Sequence, residues 1–237
     1  MPQHRTESRP EKVWTVVVAG GSSQRFGRPK QYELLGEERI LDRSIATAHA
    51  ASNGVVLVVP AADVAAEGGV AGGATRSESV RNGLAAVPAD ATIICVHDAA
   101  RPFASLDLYQ RVVATIVAGA DCAIPGVAVV DTIKVVDSAH TVISTPDRTM
   151  LRAIQTPQAF RADVLRAAHV DGAEGTDDAA LVEATGARVV VVAGEDHNRK
   201  ITYPDDLEWA RRVVGSLSVA TSATAPAPAP ATAPAPA

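Results

Sequence analysis

Four apolar runs rich in β-branched residues recur along the chain, at 13–19, 55–59, 92–96 and 188–193. Runs of this length without polar alternation suit strands covered on both faces, as in parallel sheets. Between them the apolar positions fall at helical spacing: Ile40, Leu41, Ile45 and Ala48 in one stretch, Leu108, Val112, Val113 and Ile116 in another. A further helix is predicted over 204–214. It opens on Pro204, followed by Asp205 and Asp206, residues that suit a first turn and its macrodipole. Strand–helix alternation of this kind predicts an α/β fold with a Rossmann-like, doubly wound, mixed but mostly parallel sheet. Ligands of such sheets lie beyond the carboxyl ends of the strands.

One segment breaks the alternation. Two β-rich stretches flank the polar turn Asp137-Ser138-Ala139-His140. They predict a hairpin arm over 126–147 that projects from the sheet. A two-stranded ribbon is marginal alone, so the arm needs a surface to pack on, and a second subunit is the natural candidate.

Composition narrows the picture. Of 237 residues, 47% are hydrophobic, which excludes a wholly disordered chain. The expected folded domain is 12–215. Residues 1–11 read as a disordered leader and 216–237 as a disordered tail, because the end of the chain alternates Ala with Pro and Thr. The formal net charge of −5 argues against non-specific nucleic-acid binding, and 3% aromatic residues argue against a base-stacking surface. Cys95 and Cys122 fall inside apolar runs and are read as buried thiols. No stretch suits a membrane span or a signal peptide, so a cytoplasmic protein is expected.

The turn after the first strand concentrates chemistry: Ala19-Gly20-Gly21-Ser22-Ser23-Gln24-Arg25-Phe26-Gly27-Arg28-Pro29-Lys30-Gln31. Glycines let backbone amides approach a phosphate, the serines add hydroxyl donors, and Arg25, Arg28 and Lys30 follow closely. In an acidic protein this reads as a polyphosphate site, though neither a Walker loop nor a GxGxxG turn. A second cluster, His97-Asp98-Ala99-Ala100-Arg101-Pro102, follows the strand at 92–96. Asp98 at a strand end suits a divalent metal or its waters. A structural Asp98–Arg101 pair is the equal alternative. His97 reads as a packing residue. Glu195-Asp196-His197-Asn198-Arg199-Lys200 returns cations to the same sheet edge, and in Thr176-Asp177-Asp178-Ala179 the threonine is expected to cap a helix.

These segments, in this order, together with Asp131-Thr132-Ile133-Lys134, Gln155-Thr156-Pro157-Gln158 and Arg199-Lys200-Ile201-Thr202, resemble the 2-C-methyl-D-erythritol 4-phosphate cytidylyltransferase family over about residues 12–215. The resemblance implies a nucleotidyltransferase that moves CMP from CTP to a polyol phosphate. It implies catalytic cations at Arg25, Lys30 and Lys200. It implies a nucleotide site at Ala19, Gly20, Gly21, Ser22, Gly73, Ala74, Ser79 and Asp98, with Asp98 also near Mg²⁺ or another divalent cation. Arg101, Thr132, Arg148, Thr156 and Asp196 would bind the polyol phosphate. Thr132 and Arg148 would do so in the partner's site of a homodimer joined through the arm. Ribitol-5-phosphate cytidylyltransferase is the near alternative, since it shares the motifs and differs in the polyol. Sugar-1-phosphate and molybdopterin nucleotidyltransferases are not expected to carry both HDAARP and TDDA. A non-catalytic regulator would be expected to lose one of the three cations.

Overall fold

The computed structural model describes residues 11–21, 26–170 and 172–223, the last seven of these as backbone only. The leader up to Pro10, Ser22 and Arg25 of the phosphate turn, and residues 224–237 of the expected tail lie outside the described residues.

The elements follow the expected alternation. Strand β1 (Val13–Val18) leads through the phosphate turn to a small ribbon, β2 (Leu34–Leu35) and β3 (Glu38–Arg39), and then helix α1 (Ile40–Ala51). Strand β4 (Gly54–Val59), the short helix α2 (Val64–Glu67), strand β5 (Val70–Ala71), helix α3 (Arg76–Ala86), strand β6 (Ile93–Asp98) and helix α4 (Leu106–Val117) come next. Strand β7 (Cys122–Ala128) enters the arm, whose ribbon is β8 (Val135–Val136) and β9 (Val142–Ser144). Strands β10 (Arg152–Ile154) and β11 (Gln158–Arg161), helices α5 (Ala162–Ala168) and α6 (Asp178–Glu183), strand β12 (Val189–Ala193) and helix α7 (Pro204–Ala223) complete the chain.

The eight-stranded main sheet runs β10-β7-β11-β6-β1-β4-β5, with β12 also paired to β7. Parallel pairing joins β6, β1, β4 and β5, while β11 runs antiparallel to β6 and β7, so the sheet is mixed as expected. The core divides by strand periodicity. Val16, Ile94 and Val96 pack on one face with Val80, Leu84, Phe160 and Leu165. Their neighbours Val17, Ile93 and Cys95 pack on the other with Leu41, Leu108, Tyr109 and Val112. Burial on both faces is the reason these strands lack polar alternation. Helix α3 approaches β1 so closely that a Cβ on Gly83 would lie 2.5 Å from Val16 Cγ1.

Several particulars differ from the sequence reading. Strand β6 runs on through His97 and Asp98, so the motif's carboxylate belongs to the strand's last residue. Helix α6 is capped by Asp177, which accepts from the Ala180 amide at 2.9 Å, and not by Thr176. With Asp177 at the N-cap, its carboxylate meets the amide three residues on, as a first-turn cap requires. Helix α7 continues past the expected boundary at 215 to Ala223; no Gly or Pro interrupts residues 216–223 before the Pro repeats. Both cysteines are buried free thiols; burial pushes Cys95 up to about 12. Among the described residues no helix is long and apolar enough to cross a membrane.

A ribbon forms within the expected arm, between residues 135 and 144, while residues 126–128 of the expected range belong to β7 in the main sheet. Among the described residues this ribbon forms a two-stranded sheet of its own, and the arm exposes Val130 and Ile143 at 77% and 64%, with Met150 just past it at 81%.

Candidate active site

The carboxyl ends of β1 and β6 open onto a cavity of about 660 Å³. Ala19, Gly20 and Gly21 form one wall and Gly73 to Arg76 another; Lys30, Asp98 and Lys200 project between them. Three segments far apart in sequence thus place one carboxylate and two lysines at a single edge, where the parallel-strand rule puts a ligand.

The second glycine loop is built by the helix it precedes. Thr75 caps α3, accepting from the Glu78 amide at 3.0 Å, and Glu78 accepts from the Ala74 amide at 2.6 Å. Ser79 Oγ accepts from the Gly73 amide at 3.0 Å and donates to the Thr75 carbonyl at 2.9 Å. The Ser79 hydroxyl is therefore engaged in shaping the loop, even as it lines the cavity. A Cβ on Gly73 would fall 2.1 Å from Glu78 Cγ, so a side chain there would force Glu78 out of its contact.

Asp98 is the electrostatic centre. Lys200 Nζ lies 2.5 Å from it and Arg76 Nη2 lies 3.5 Å away. Burial alone would raise this carboxyl; the Lys200 and Arg76 charges, with the Lys200 hydrogen bond, outweigh it and hold the group well below the usual carboxylate range. Arg76 also pairs with the fully buried Asp178 at 2.8 Å, and Asp178 meets His169 Nε2 at 3.1 Å. Arg76 is a cavity residue that the sequence reading passed over. Its signal was the Thr75-x-x-Glu78 cap behind two glycines, which sets residue 76 in a helix's first turn facing the sheet edge.

The remaining expected residues distribute as follows. Thr156 lies beneath the site: its Oγ accepts from the Asp98 amide at 3.0 Å and contacts His97 Nδ1 at 3.1 Å. His97 is buried, as read, and burial lowers it to about 4, so it is neutral at physiological pH. The alternative Asp98–Arg101 pair does not form. The Arg101 guanidinium instead donates to the carbonyls of Asn198 at 2.8 Å and Ile154 at 3.3 Å, and it does not line the cavity. Asp196 is exposed and away from the cavity wall. Arg199 lies over the Trp209 ring at 4.6 Å, so of the two neighbouring cations only Lys200 faces the cavity. Thr132 and Arg148 are exposed at the arm, outside this cavity; Arg148 donates to the Val130 carbonyl at 2.7 Å.

The family description "2-C-methyl-D-erythritol 4-phosphate cytidylyltransferase" matches residues 13–216, nearly the whole described chain. The chain belongs to this cytidylyltransferase family. A relative of that name from Frankia casuarinae is 38% identical over 93% of this chain and 88% of its own length. A "Bifunctional enzyme IspD/IspF" from Anaeromyxobacter dehalogenans is 43% identical over 87% of this chain, and the match spans 58% of that longer protein. The fold of the family's solved members agrees. The crystal structure of the Thermus thermophilus enzyme superposes with a TM-score of 0.71 at 32% identity, covering 84% of this chain and 98% of that one.

Proposed function

We propose that this cytidylyltransferase transfers CMP from CTP to 2-C-methyl-D-erythritol 4-phosphate, releasing pyrophosphate and forming the 4-diphosphocytidyl product. The observation that carries the reading is the convergence of Lys30, Lys200, Arg76 and Asp98 on one cavity between two glycine loops, in a chain of this family.

The chemistry follows from charge. An oxygen of the polyol's phosphate attacks the α-phosphorus of CTP, the bond to the β-phosphate's bridging oxygen breaks, and pyrophosphate leaves with that electron pair. The nucleophile is already anionic, so no strong general base is required. The barrier is the approach of two anions and the charge that builds at the α-phosphate. Fixed cations lower such a barrier by positioning and electrostatics. Lys30 and Lys200 face the cavity and fit that role. Arg25 lies outside the described residues, and its motif assigns it the same charge-stabilising role.

Asp98 is the carboxylate that would meet a magnesium ion brought in with the nucleotide. Among the described residues no cluster of three or more His, Cys, Asp or Glu could hold a metal unaided. A single carboxylate beside a phosphate cavity fits a cation ligated mainly by phosphate oxygens and water. Bound there, such an ion would neutralise phosphate charge.

The arm completes the assignment. Its exposed apolar residues and the position of Thr132 and Arg148 outside the cavity fit a homodimer in which the arm supplies the partner's polyol phosphate site.

The test is pyrophosphate release with CTP and a panel of polyol phosphates. Turnover with methylerythritol phosphate well above that with ribitol phosphate is expected. Preference for ribitol phosphate, or no release with any polyol, would overturn the reading. CTP should also exceed ATP and GTP, because readout by the backbone of two glycine loops would favour the smaller pyrimidine.

A further inference from the structure

We propose that Arg101, Gln155 and Asn198 form a buried clamp that sets the position of Lys200, so that Arg101 acts on the reaction through Lys200 without touching substrate. The inference rests on the transferase reading for its kinetic part only.

Lys200 lies in the connection between β12 and α7, a stretch with no regular hydrogen-bonding ladder to hold it. The structure supplies substitutes on both sides of it. Gln155, 5% exposed, pairs with both backbone groups of Glu195: its Nε2 donates to the carbonyl at 2.8 Å and its Oε1 accepts from the amide at 3.0 Å. Asn198, fully buried, donates through Nδ2 to the Thr156 carbonyl at 2.8 Å. Arg101 Nη1 donates to the Asn198 carbonyl at 2.8 Å, while Nη2 reaches back to the Ile154 carbonyl at 3.3 Å. The Ile201 amide closes the far side on the Ala100 carbonyl at 2.8 Å. Residues 195, 198 and 201 are thus tied to the two segments that carry Asp98 and Thr156.

The geometry has one consequence for Arg101. Its guanidinium faces away from the cavity, and its fork spans two carbonyls on different chain segments. A lysine keeps the charge but is a point donor that cannot span both. A buried carbonyl left without its donor costs free energy and shifts to recover one. That shift falls two residues from Lys200, whose ammonium must meet charge developing at the reacting phosphate. Small misplacements at such a centre lower the rate steeply.

The test is a double-mutant cycle with hydrogen exchange. Arg101→Lys is expected to lower kcat by about tenfold to a hundredfold, with KM for CTP and for the polyol phosphate held within about twofold. In a Lys200→Ala background the same substitution should cost nothing further, because the group it positions is gone. Gln155→Glu, which retains the acceptor for the Glu195 amide and loses the donor, should reproduce the pattern if Arg101→Lys fails to fold. Backbone amides of residues 199–202 should exchange faster in either variant, with β1 and β6 unchanged. A raised KM for the polyol phosphate with kcat intact, or losses that simply multiply in the Lys200→Ala background, would place Arg101 on the substrate and overturn the proposal. Unaltered exchange at 199–202 would overturn the clamp whatever the enzyme's substrate. A wild-type protein that releases no pyrophosphate would overturn the transferase reading, while the exchange measurement still decides the clamp.

Discussion

Replacing Asp98 by Asn keeps the side chain's size and removes the one negative charge shared by Lys200 and Arg76. A unit pair at the 2.5 Å Asp98–Lys200 separation attracts by about 7 kcal/mol at an effective dielectric constant near 20. Desolvation of the buried carboxylate offsets several kcal/mol of that. The Lys200 side chain is 37% exposed, so water screens a further part. The net loss expected for Asp98→Asn at pH 7 is about 2 kcal/mol, which moves a urea midpoint down by roughly 1 M for a slope near 2 kcal/mol/M. The pH dependence carries a definite sign. The folded carboxyl titrates below its ordinary value, so its contribution is present above the unfolded pKa of about 4 and is lost as pH falls toward the depressed folded value. The wild-type advantage should be flat from about pH 8 to 5 and shrink below about pH 4. Urea unfolding of both proteins at several pH values measures it. Equal stability at pH 7, or an advantage that grows toward acid, would refute the reasoning.

Other expectations follow from the same geometry. Lys30→Ala or Lys200→Ala should lower kcat about a hundredfold, near 3 kcal/mol, with little change in KM, because a donor aimed at developing charge acts on the transition state; steady-state pyrophosphate release reads this. Gly83→Ala should cost about 1–3 kcal/mol by overpacking α3 against β1, where the new Cβ would meet Val16, and thermal unfolding measures the loss. Phe160→Ala should cost about 3–5 kcal/mol by opening a cavity at a fully buried site, seen in the same melts. An inactive Lys30→Ala chain co-expressed with an inactive Arg148→Ala chain should recover activity below the wild-type level, since a heterodimer assembles one site free of both lesions; verified heterodimers without activity would end the arm-exchange assignment.

The central strands were legible because β1 and β6 are covered on both faces and so read as unbroken apolar runs; β1, β4, β6 and the less buried β12 emerge within two residues of the runs that predicted them. Strands β10 and β11 were not separately legible. They are short, antiparallel additions flanking the Thr156-Pro157 pair, and nothing in their alternation separates them from loop. At the site, the charged residues of glycine-rich and HDAARP segments were readable from composition contrast, since cations concentrated beside a strand end in an acidic chain need a reason. The place of Arg76 in a capped first turn could be read locally, but its partners and those of Arg101 could not. They depend on which distant carbonyl or carboxylate the fold delivers, and no local pattern encodes that.

The charge layout bears on why a scaffold of this size surrounds so small a site. Lys200, Asp98, Arg76, Asp178 and His169 form a chain of alternating partners running from the cavity into the core. Each member comes from a different segment of the chain, and the inner carboxylate is fully buried. Cations gathered for a polyphosphate repel one another, and with Lys30 beside them the bare cluster would be unfavourable before ligand arrives. Interleaved carboxylates neutralise that repulsion in the free protein. Asp98, nearest the cavity, is the member that an incoming phosphate anion would compete with for Lys200. The arrangement therefore stabilises the empty site while leaving its outermost cation exchangeable, which is the property a site must have to bind a triphosphate and then release pyrophosphate.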